Sequence, residues 1–438
     1  MGNLIQEIQE KFIHNDDFFI QKEKFGNTVL HLIGFKTLVD LDQSKLYIQQ
    51  IARSSTSVHN LLNNLSETLD ANLEYITKAL LKGKLVIIVG NGKHNAVIEP
   101  VSLNLKRIID EPKSESPILA SLDAFVEDIK ANVGLIRKWL NTDRLCHYSY
   151  EVGKLQKRKI SMLYINGCAQ SSLVERVDQQ LKNIQSDIET IDDLNRCLGY
   201  GKRYIVSHLY STELPNQAVH YLKRNRIVIF LDNHPYALVF PQLIWDMFSL
   251  ASDRNFPFML ALMLRSIRVI GAVTTLTLPA LYVALISVNP EVLKIDFALF
   301  VAKSRQGVPY PALLETILMV FLVDLVLEAI VRLPKSVGPA VTMVGGVILG
   351  QAVVEAKLVS NLLIIVITAI VIAGSTIVGM QNSIYIRLLR YPVLILASIY
   401  GIFGAFIGVT FIGIYLTSLT SNGFPYTAFN LKQKGDTK

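Results

Sequence analysis

Two patterns of hydrophobic residues divide the chain at about residue 256. Before this point, short apolar runs rich in Val, Ile and Leu alternate with stretches whose apolar residues recur every three or four positions, which is typical of strands and amphipathic helices. After it, the apolar runs reach the length of about 20 residues that a helix needs to cross a bilayer. The pattern predicts an α/β region followed by an α-helical polytopic membrane domain of about five transmembrane helices.

The α/β region repeats itself. KLVIIVGNGKHNAVIEP at 84–100 matches RIVIFLDNHPYALVFP at 226–241, since each has an apolar strand, an asparagine turn and a second strand closed by proline. Upstream, residues 29–51 resemble residues 161–184 as a strand followed by a helix. The repeat predicts two related modules. Six strands are predicted, at 28–34, 84–90, 95–100, 159–166, 226–232 and 236–241.

The change of pattern also sets the predicted domain borders. The N-terminal residues lack the basic start and apolar core of a signal peptide, so we expect the α/β region to be cytoplasmic. The linker between its modules is predicted near EPKSESP, residues 111–117. The predicted domains are a cytoplasmic module at 1–115, a second at 116–248, a helical membrane domain at 249–426 and a short polar tail at 427–438.

The membrane domain begins with residues 249–268, which carry three arginines among apolar residues and predict a helix lying in the membrane interface. The later run at 338–354 is short, so a re-entrant hairpin with the run that follows it stays an alternative. Five crossings would leave Arg332 and Arg387 inside, as the positive-inside rule favours, and the tail outside. The predicted crossings are 269–287, 312–331, 338–354, 358–380 and 393–416.

Composition supports a membrane protein and excludes other classes. Of the 438 residues 51% are hydrophobic and 18% are charged, which is too apolar for a disordered chain. The formal net charge of +7 lies almost entirely after residue 255, where it flanks apolar runs, so the chain is not predicted to bind nucleic acid. Three cysteines without CxxC spacing predict reduced thiols.

The sequence shows no motif for catalysis, metal binding or a cofactor. GNGKH at 90–94 lacks the spacing of a phosphate-binding loop and predicts a strand turn. The eight histidines form no HxxxH or HExxH pair, and no nucleophile elbow is present. We therefore expect a protein that is not an enzyme and that uses neither a metal nor a cofactor.

Acidic residues within the apolar runs are the first candidate functional group. A carboxylate in hydrocarbon costs at least about 2.5 kcal/mol unless it faces protein or water. Asp324, Glu328 and Arg332 follow at i, i+4 and i+8 and share one helix face with a predicted Glu328–Arg332 pair, and Glu315 begins the same run. The acids predict either structural ion pairs or the lining of a cation pathway, and the sequence leaves both open.

A glycine-rich run, VGPAVTMVGGVILGQAVVEA at 337–356, is the second candidate. Gly346 and Gly350 form a GxxxG pair that allows close helix contact, and Gln351 and Glu355 follow at i, i+4. Small residues next to an amide and a carboxylate suit either tight packing within the chain or a narrow pore shared between subunits. The candidate pore or gating residues are Gly345, Gly346, Gly350, Gln351 and Glu355.

Runs along nearly the whole chain resemble, in order and spacing, the A-subunits of spore germinant receptors, the GerA family. In the α/β region these runs are IIDEPKSE (108–115), YINGCA (164–169), TELPN (212–216) and DNHP (232–235). In the membrane domain they are LPALYVAL (278–285), NPE (289–291), SRQGVPYPALLE (304–315), RLPKSVG (332–338), GGVILGQAVVEAKLVS (345–360), RLLRYP (387–392) and GFPY (423–426).

The resemblance implies a multi-pass protein of the spore inner membrane with its N-terminal region in the cytoplasm. It implies a subunit that contacts membrane lipid, forms a homo-oligomer and acts with a transporter-like, nutrient-binding B-subunit and a C-subunit lipoprotein. The expected function is to form or gate an ion channel that opens when nutrient is sensed and triggers germination. The alternatives are a non-conducting scaffold subunit of the receptor and a secondary solute transporter.

Overall fold

A computed structural model gives the structure of the chain. It describes residues 4–25, 28–54, 58–89, 94–101, 123–199, 205–206, 209–333, 338–421 and 423–428. These residues form two compact units: unit 1 extends to Gln242 and includes Ser421–Phe424, and unit 2 contains Leu243–Thr420 and continues from Pro425. The predicted linker at 111–117 lies outside the described residues.

The first half of unit 1 is a five-stranded antiparallel sheet with helices packed on it. The apolar run Leu85–Val89 forms an inner strand, and Leu85 to Ile88 are fully buried because neighbours cover both faces of it. The elements are α1 (Leu4–Lys11), β1 (Phe18–Phe25), β2 (Thr28–Phe35), α2 (Leu41–Ser54), α3 (Val58–Leu65), β3 (Ser66–Leu69), α4 (Leu73–Leu81), β4 (Leu85–Val89) and β5 (His94–Ile98). The strand order is β1-β2-β4-β5-β3.

The second half of unit 1 repeats this architecture element by element. Its sheet is again antiparallel throughout, as the registers of its four strand pairs show. The elements are α5 (Ile129–Trp139), β6 (Leu145–Val152), β7 (Arg158–Ile165), α6 (Ser171–Lys182), α7 (Ile191–Cys197), β8 (Tyr210–Thr212), α8 (Pro215–Leu222), β9 (Ile227–Leu231) and β10 (Ala237–Phe240). The order β6-β7-β9-β10-β8 is that of the first sheet, which is the structural form of the sequence repeat.

Unit 2 is helical. The expected interface helix over 249–268 is wrong, because residues 251–255 form a 3-10 turn and Pro257 precedes a helix that runs on without a break from Phe258. The helices are α9 (Phe258–Val283, extended by a π turn at Ala284–Val288), α10 (Ile295–Ser304), α11 (Ala312–Arg332), α12 (Gly338–Glu355), α13 (Asn361–Ser375) and α14 (Met380–Ser418). Short 3-10 turns lie at Ile244–Phe248 and Pro290–Val292, and two-residue strands at Thr420–Ser421 (β11) and Phe424–Pro425 (β12).

Helix α14 folds back on itself at Gly401. In a straight helix Gly408 and Val393 would be about 22 Å apart. A Cβ built on Gly408 instead lies 3.0 Å from the Val393 Cα, so the two arms, 380–400 and 402–418, run side by side. The reversal occurs at the non-helical Gly401 (φ +63°, ψ −141°), and the side chain of Asn289 accepts the Ile402 N–H at 3.1 Å.

Both ends of α14 return to the same place. Just before the helix, the Val378 N–H donates to the Met247 carbonyl at 3.3 Å. After it, the carbonyl of Tyr426 accepts the Ile244 N–H at 3.0 Å, and the fully buried Tyr426 ring reaches the Met247 sulfur with its hydroxyl. The start and the end of unit 2 therefore meet at residues 244–247.

By length and composition, two helical stretches of the described residues could cross a membrane, Phe258–Val288 and Gln381–Ser418. Since the second reverses at Gly401, the predicted single crossing over 393–416 is wrong. The sequence suggested one long span because both arms are apolar throughout, and one glycine is a weak signal for a turn in such a run.

Candidate functional site

Helix α12 carries the glycine-rich candidate, and its glycine face is uncovered. A Cβ built on Gly346 or Gly350 meets no heavy atom of the described residues within 4 Å. By contrast, a Cβ on Gly374 in α13 would lie 3.5 Å from the Thr275 hydroxyl. The GxxxG pair is therefore not used for packing within the described part of the chain. Gly345 lies in the same helix, but its contacts lie outside the part of the chain that the structure describes.

Two polar residues near the end of α12 are also exposed. The side chains of Gln351 and Glu355 are exposed, whereas Val353 between them is buried against the rest of unit 2. An exposed amide and carboxylate on an apolar helix are costly in hydrocarbon unless water or protein meets them. The outer side of α12 thus combines small residues and hydrogen-bonding groups.

The predicted ion pair on α11 is present. An Nη of Arg332 lies 2.7 Å from the Glu328 carboxylate, and both side chains are largely exposed. Asp324 does not join this pair, although the three residues share a helix face. Its carboxylate instead accepts hydrogen bonds from Arg390 at 2.6 Å and Tyr391 at 2.7 Å, which tie α11 to α14.

Glu315 lies far from these residues, in a cluster at the opposite end of α11. Its carboxylate is fully buried and accepts the Ser360 N–H at 2.6 Å. Arg305 lies 3.5 Å from the other oxygen, and the Ser360 hydroxyl is 2.9 Å from that of Tyr282. Since each of the acids on α11 has an arginine partner, the geometry favours the structural ion-pair interpretation over a cation pathway lined by these acids.

A buried polar cluster that the sequence analysis missed lies between the halves of unit 1. Asp17, from the first half, accepts two hydrogen bonds from Arg137 of α5, at 2.8 and 2.6 Å, and one from Thr37 at 2.6 Å. His147 of β6 lies 3.3 Å from the same carboxylate, and Arg137 also stacks on the Phe35 ring at 4.1 Å. The cluster joins the two repeats by charge as well as by packing.

The carboxyl group of Asp17 is stabilised in its ionised form. Burial alone would raise the pKa of its carboxyl, but the Arg137 guanidinium and the hydrogen bond with His147 outweigh burial and hold that pKa well below its usual range. Asp17 is therefore a carboxylate in the folded protein, and its pairing with Arg137 is the main electrostatic link between the two halves.

Among the described residues, no group of three or more His, Cys, Asp or Glu side chains is placed to hold a metal ion. Cys146, Cys168 and Cys197 are free thiols. The phosphate-loop-like residues 90–93 lie outside the described part of the chain. The expectation that the protein uses no metal, cofactor or catalytic group stays a prediction.

Comparison with known proteins identifies the family. The sequence model of the Bacillus/Clostridium GerA spore germination proteins matches residues 6–437. The chain belongs to the GerA family. Its relatives include spore germination protein A1 of Bacillus subtilis and spore germination protein GerLA of Bacillus cereus, each 28% identical over 97% of this chain and 90% of the relative.

The chain is also similar to a membrane protein and to a solved domain. The uncharacterized membrane protein YfkQ of Bacillus subtilis is 30% identical over 86% of this chain and 74% of its own length. A crystal structure of the N-terminal domain of the A subunit of the Bacillus megaterium germinant receptor GerK3 aligns with 55% of this chain and 94% of that domain, with 19% identity and a TM-score of 0.41.

The runs that carry the GerA resemblance also supply several of the polar contacts that join helices of unit 2. SRQGVPYPALLE contains both Arg305 and Glu315, and RLLRYP contains Arg390 and Tyr391, the partners of Asp324. NPE contains Asn289, which binds the backbone next to Gly401. Tyr282, Ser360 and Tyr426, from three further runs, complete these contacts. In this chain these motif residues hold helices together, whereas Gly346 and Gly350, in the run that ends at Ser360, leave one side of α12 uncovered by described residues.

Proposed function

We propose that this GerA-family protein is the A-subunit of a spore nutrient germinant receptor and that it forms or gates an oligomeric ion channel. The uncovered side of α12 carries the proposal. Gly346 and Gly350 leave room for a neighbouring helix, and Gln351 and Glu355 need water or protein partners in a membrane. Several copies arranged around an axis would satisfy both requirements, with α12 lining a narrow aqueous path.

The proposal includes a transmembrane arrangement of six helical crossings. The chain would cross at α9, α11, α12 and α13 and at each arm of α14. Supporting it, Asn289 after α9 lies against Gly401 between the arms, and both ends of α14 lie beside residues 244–247. The tail would then return to the side of residue 243, in place of the expected position outside. With Arg332 and Arg387 inside, unit 1 would be cytoplasmic to the spore inner membrane.

The proposed partners are a transporter-like B-subunit that binds nutrient and a C-subunit lipoprotein, as the family resemblance implies. We assign the chain no catalytic role and no cofactor. Nutrient binding would favour the conducting arrangement of the complex to the extent that nutrient binds that arrangement more tightly.

The test is ion flux from liposomes that hold this chain with its B- and C-type partners, with candidate nutrients added outside. Gly346→Leu adds a bulky side chain to the open side of α12, where a Cβ meets no described atom within 4 Å. Gly413→Leu is the matched control, because a Cβ on Gly413 also meets nothing within 4 Å. We expect nutrient-dependent flux that Gly346→Leu abolishes and Gly413→Leu preserves. An assembled complex that shows no flux with any nutrient would favour the scaffold function instead.

A further inference from the structure

The turn between β6 and β7, residues 153–157, presents an apolar side chain between cationic ones. Leu155 is 94% exposed, more than any other large apolar side chain of the described residues. Lys154 and Lys157 flank it and are exposed as well. None of these side chains contributes to the core of unit 1. We call residues 153–157 the basic tip.

The basic tip is held in one shape. A single oxygen of Asp187 accepts the N–H groups of Lys154, Leu155 and Gln156 at 2.7, 3.0 and 3.3 Å. These backbone hydrogen bonds, with that of Leu155 foremost, lower the pKa of the Asp187 carboxyl. Gly153 has φ +105°, and a side chain there would collide with the Gln156 carbonyl. A turn fixed in advance loses little entropy when it binds, which is the property of a recognition loop.

A groove of complementary chemistry lies elsewhere on unit 1, between β6 and α6. Its cavity of about 260 Å³ is walled by Tyr148, Tyr164 and Val174. The two tyrosine rings are stacked, with centroids 6.1 Å apart and planes 13° apart. Glu175 and Asp178 also line the groove. We call this cavity the tyrosine groove.

The charges of the tyrosine groove sum to an acidic site. Lys182 pairs with Asp178 at 2.7 Å, and Tyr150 donates to the same carboxylate at 2.6 Å. Glu175 is exposed on α6 and leaves the groove with a net negative charge. A branched apolar side chain would fit between the tyrosine rings and Val174, and a flanking ammonium group would meet Glu175.

We propose that the basic tip of one copy of this chain docks in the tyrosine groove of the next. Leu155 would pack on the tyrosine rings and Val174, and Lys157 would pair with Glu175. Because tip and groove are different surfaces of one chain, the contact is head-to-tail, and it closes a ring when the rotation between successive copies divides a full turn. The inference rests on the homo-oligomer of the proposed function and gives unit 1 the role of aligning the copies.

A disulfide crosslink in the full chain in membranes tests this contact. Leu155→Cys with Val174→Cys is oxidised and run on a non-reducing gel, and each single variant reports the background from the three native thiols. Leu46→Cys with Val174→Cys is the matched control, since Leu46 is also an exposed leucine of unit 1, 63% exposed. We expect a ladder of covalent multimers from the tip–groove pair and at least about tenfold less from the control.

The outcomes separate this inference from the proposed function. A multimeric chain, shown by the mass of the solubilised protein, that gives no ladder would overturn the docking and leave the channel proposal standing. A strictly monomeric chain would overturn both. Crosslinks within one chain, or from Leu155→Cys to another protein, would also overturn the docking.

A charge exchange gives a second, independent readout. Lys157→Glu and Glu175→Lys should each reduce the ladder several-fold, because each places like charges at the contact. The double variant should restore it, since the pair is re-formed with its signs exchanged. If the double variant crosslinks no better than the single variants, tip and groove do not meet.

Discussion

At the scale of single residues, Asp17 balances the charge of the buried Arg137. Among the described hydrogen-bond partners of the Arg137 guanidinium, Asp17 is the only acid. In Asp17→Asn the guanidinium stays buried without a carboxylate. Removing one partner of a buried ion pair destabilises a protein by about 3–5 kcal/mol. We expect a loss of this size in the opening free energy of α5, measured by amide hydrogen exchange on the solubilised full chain.

The control for this prediction is Asp42→Asn, at an exposed position in the first turn of α2. A surface substitution of this kind changes stability by less than about 0.5 kcal/mol. Equal exchange in the two variants would contradict the role given to the Asp17–Arg137 pair.

The same carboxylate predicts an acid dependence. Its folded pKa lies below the value of about 3.9 that an aspartate has in an unfolded chain. The carboxylate therefore contributes its full stabilisation of the fold above about pH 3.9. This contribution is lost as the pH falls from there towards the folded pKa. Unfolding of unit 1 followed from pH 6 down to about pH 2 should show an acid-driven loss that is smaller in Asp17→Asn. Identical acid curves would contradict the assignment.

The residue contacts that could be predicted from the sequence were the local ones. Glu328 and Arg332 are four positions apart on one helix, so spacing alone predicts their pair. Asp17 and Arg137 are 120 positions apart, and Asp324 and Arg390 are 66 apart. No helical periodicity brings such residues together, and only the fold does.

At the scale of elements, the reversal of α14 depends on Gly401. Its backbone conformation is one that side chains rarely adopt, at a strain of about 1–3 kcal/mol, and a Cβ would also collide with Asn289. We expect Gly401→Ala to lower the thermal midpoint of the solubilised chain, while Gly413→Ala, on the open side of the second arm, leaves it nearly unchanged. Equal midpoints for both variants would contradict a sharp reversal at this residue.

The strands show which elements a sequence reveals. All six predicted strands are present and are inner strands of the two sheets, where burial on both faces gives the continuous apolar runs of β4 and β9. In these two sheets the strands that were not predicted, β1, β3, β6 and β8, are the four sheet edges. Edge strands such as β1 (FFIQKEKF) carry polar residues towards solvent, so their apolar signal is weak.

For the candidate functional site on α12, too, the sequence predicted only part of what the structure shows. The sequence was enough to find Gly346, Gly350, Gln351 and Glu355 as a group, because their spacing lies within one helix. It left open whether they pack inside the chain or face a neighbour. Only the structure places the open side of α12 away from the other described helices.

At the scale of the whole molecule, the six proposed crossings predict which positions share a side of the membrane. Single cysteines at Ser249 and Thr427, in a chain without its native cysteines, should react with an impermeant maleimide from one side. A cysteine at Val292, which is exposed in the turn after α9, should react from the other side. Labelling of Ser249→Cys and Thr427→Cys from opposite sides would restore an odd number of crossings.

We propose that α12 lines a nutrient-gated pore, and cysteine accessibility at Gln351 tests this proposal. Gln351→Cys, in a chain whose native cysteines are replaced, is reconstituted with its partners and treated with an impermeant methanethiosulfonate during flux. The control is Ile365→Cys, which is 65% exposed on α13. We predict that the reagent blocks flux through Gln351→Cys, faster with nutrient present, and spares Ile365→Cys. Flux that continues unchanged through a fully modified Gln351→Cys would show that α12 does not line the pore.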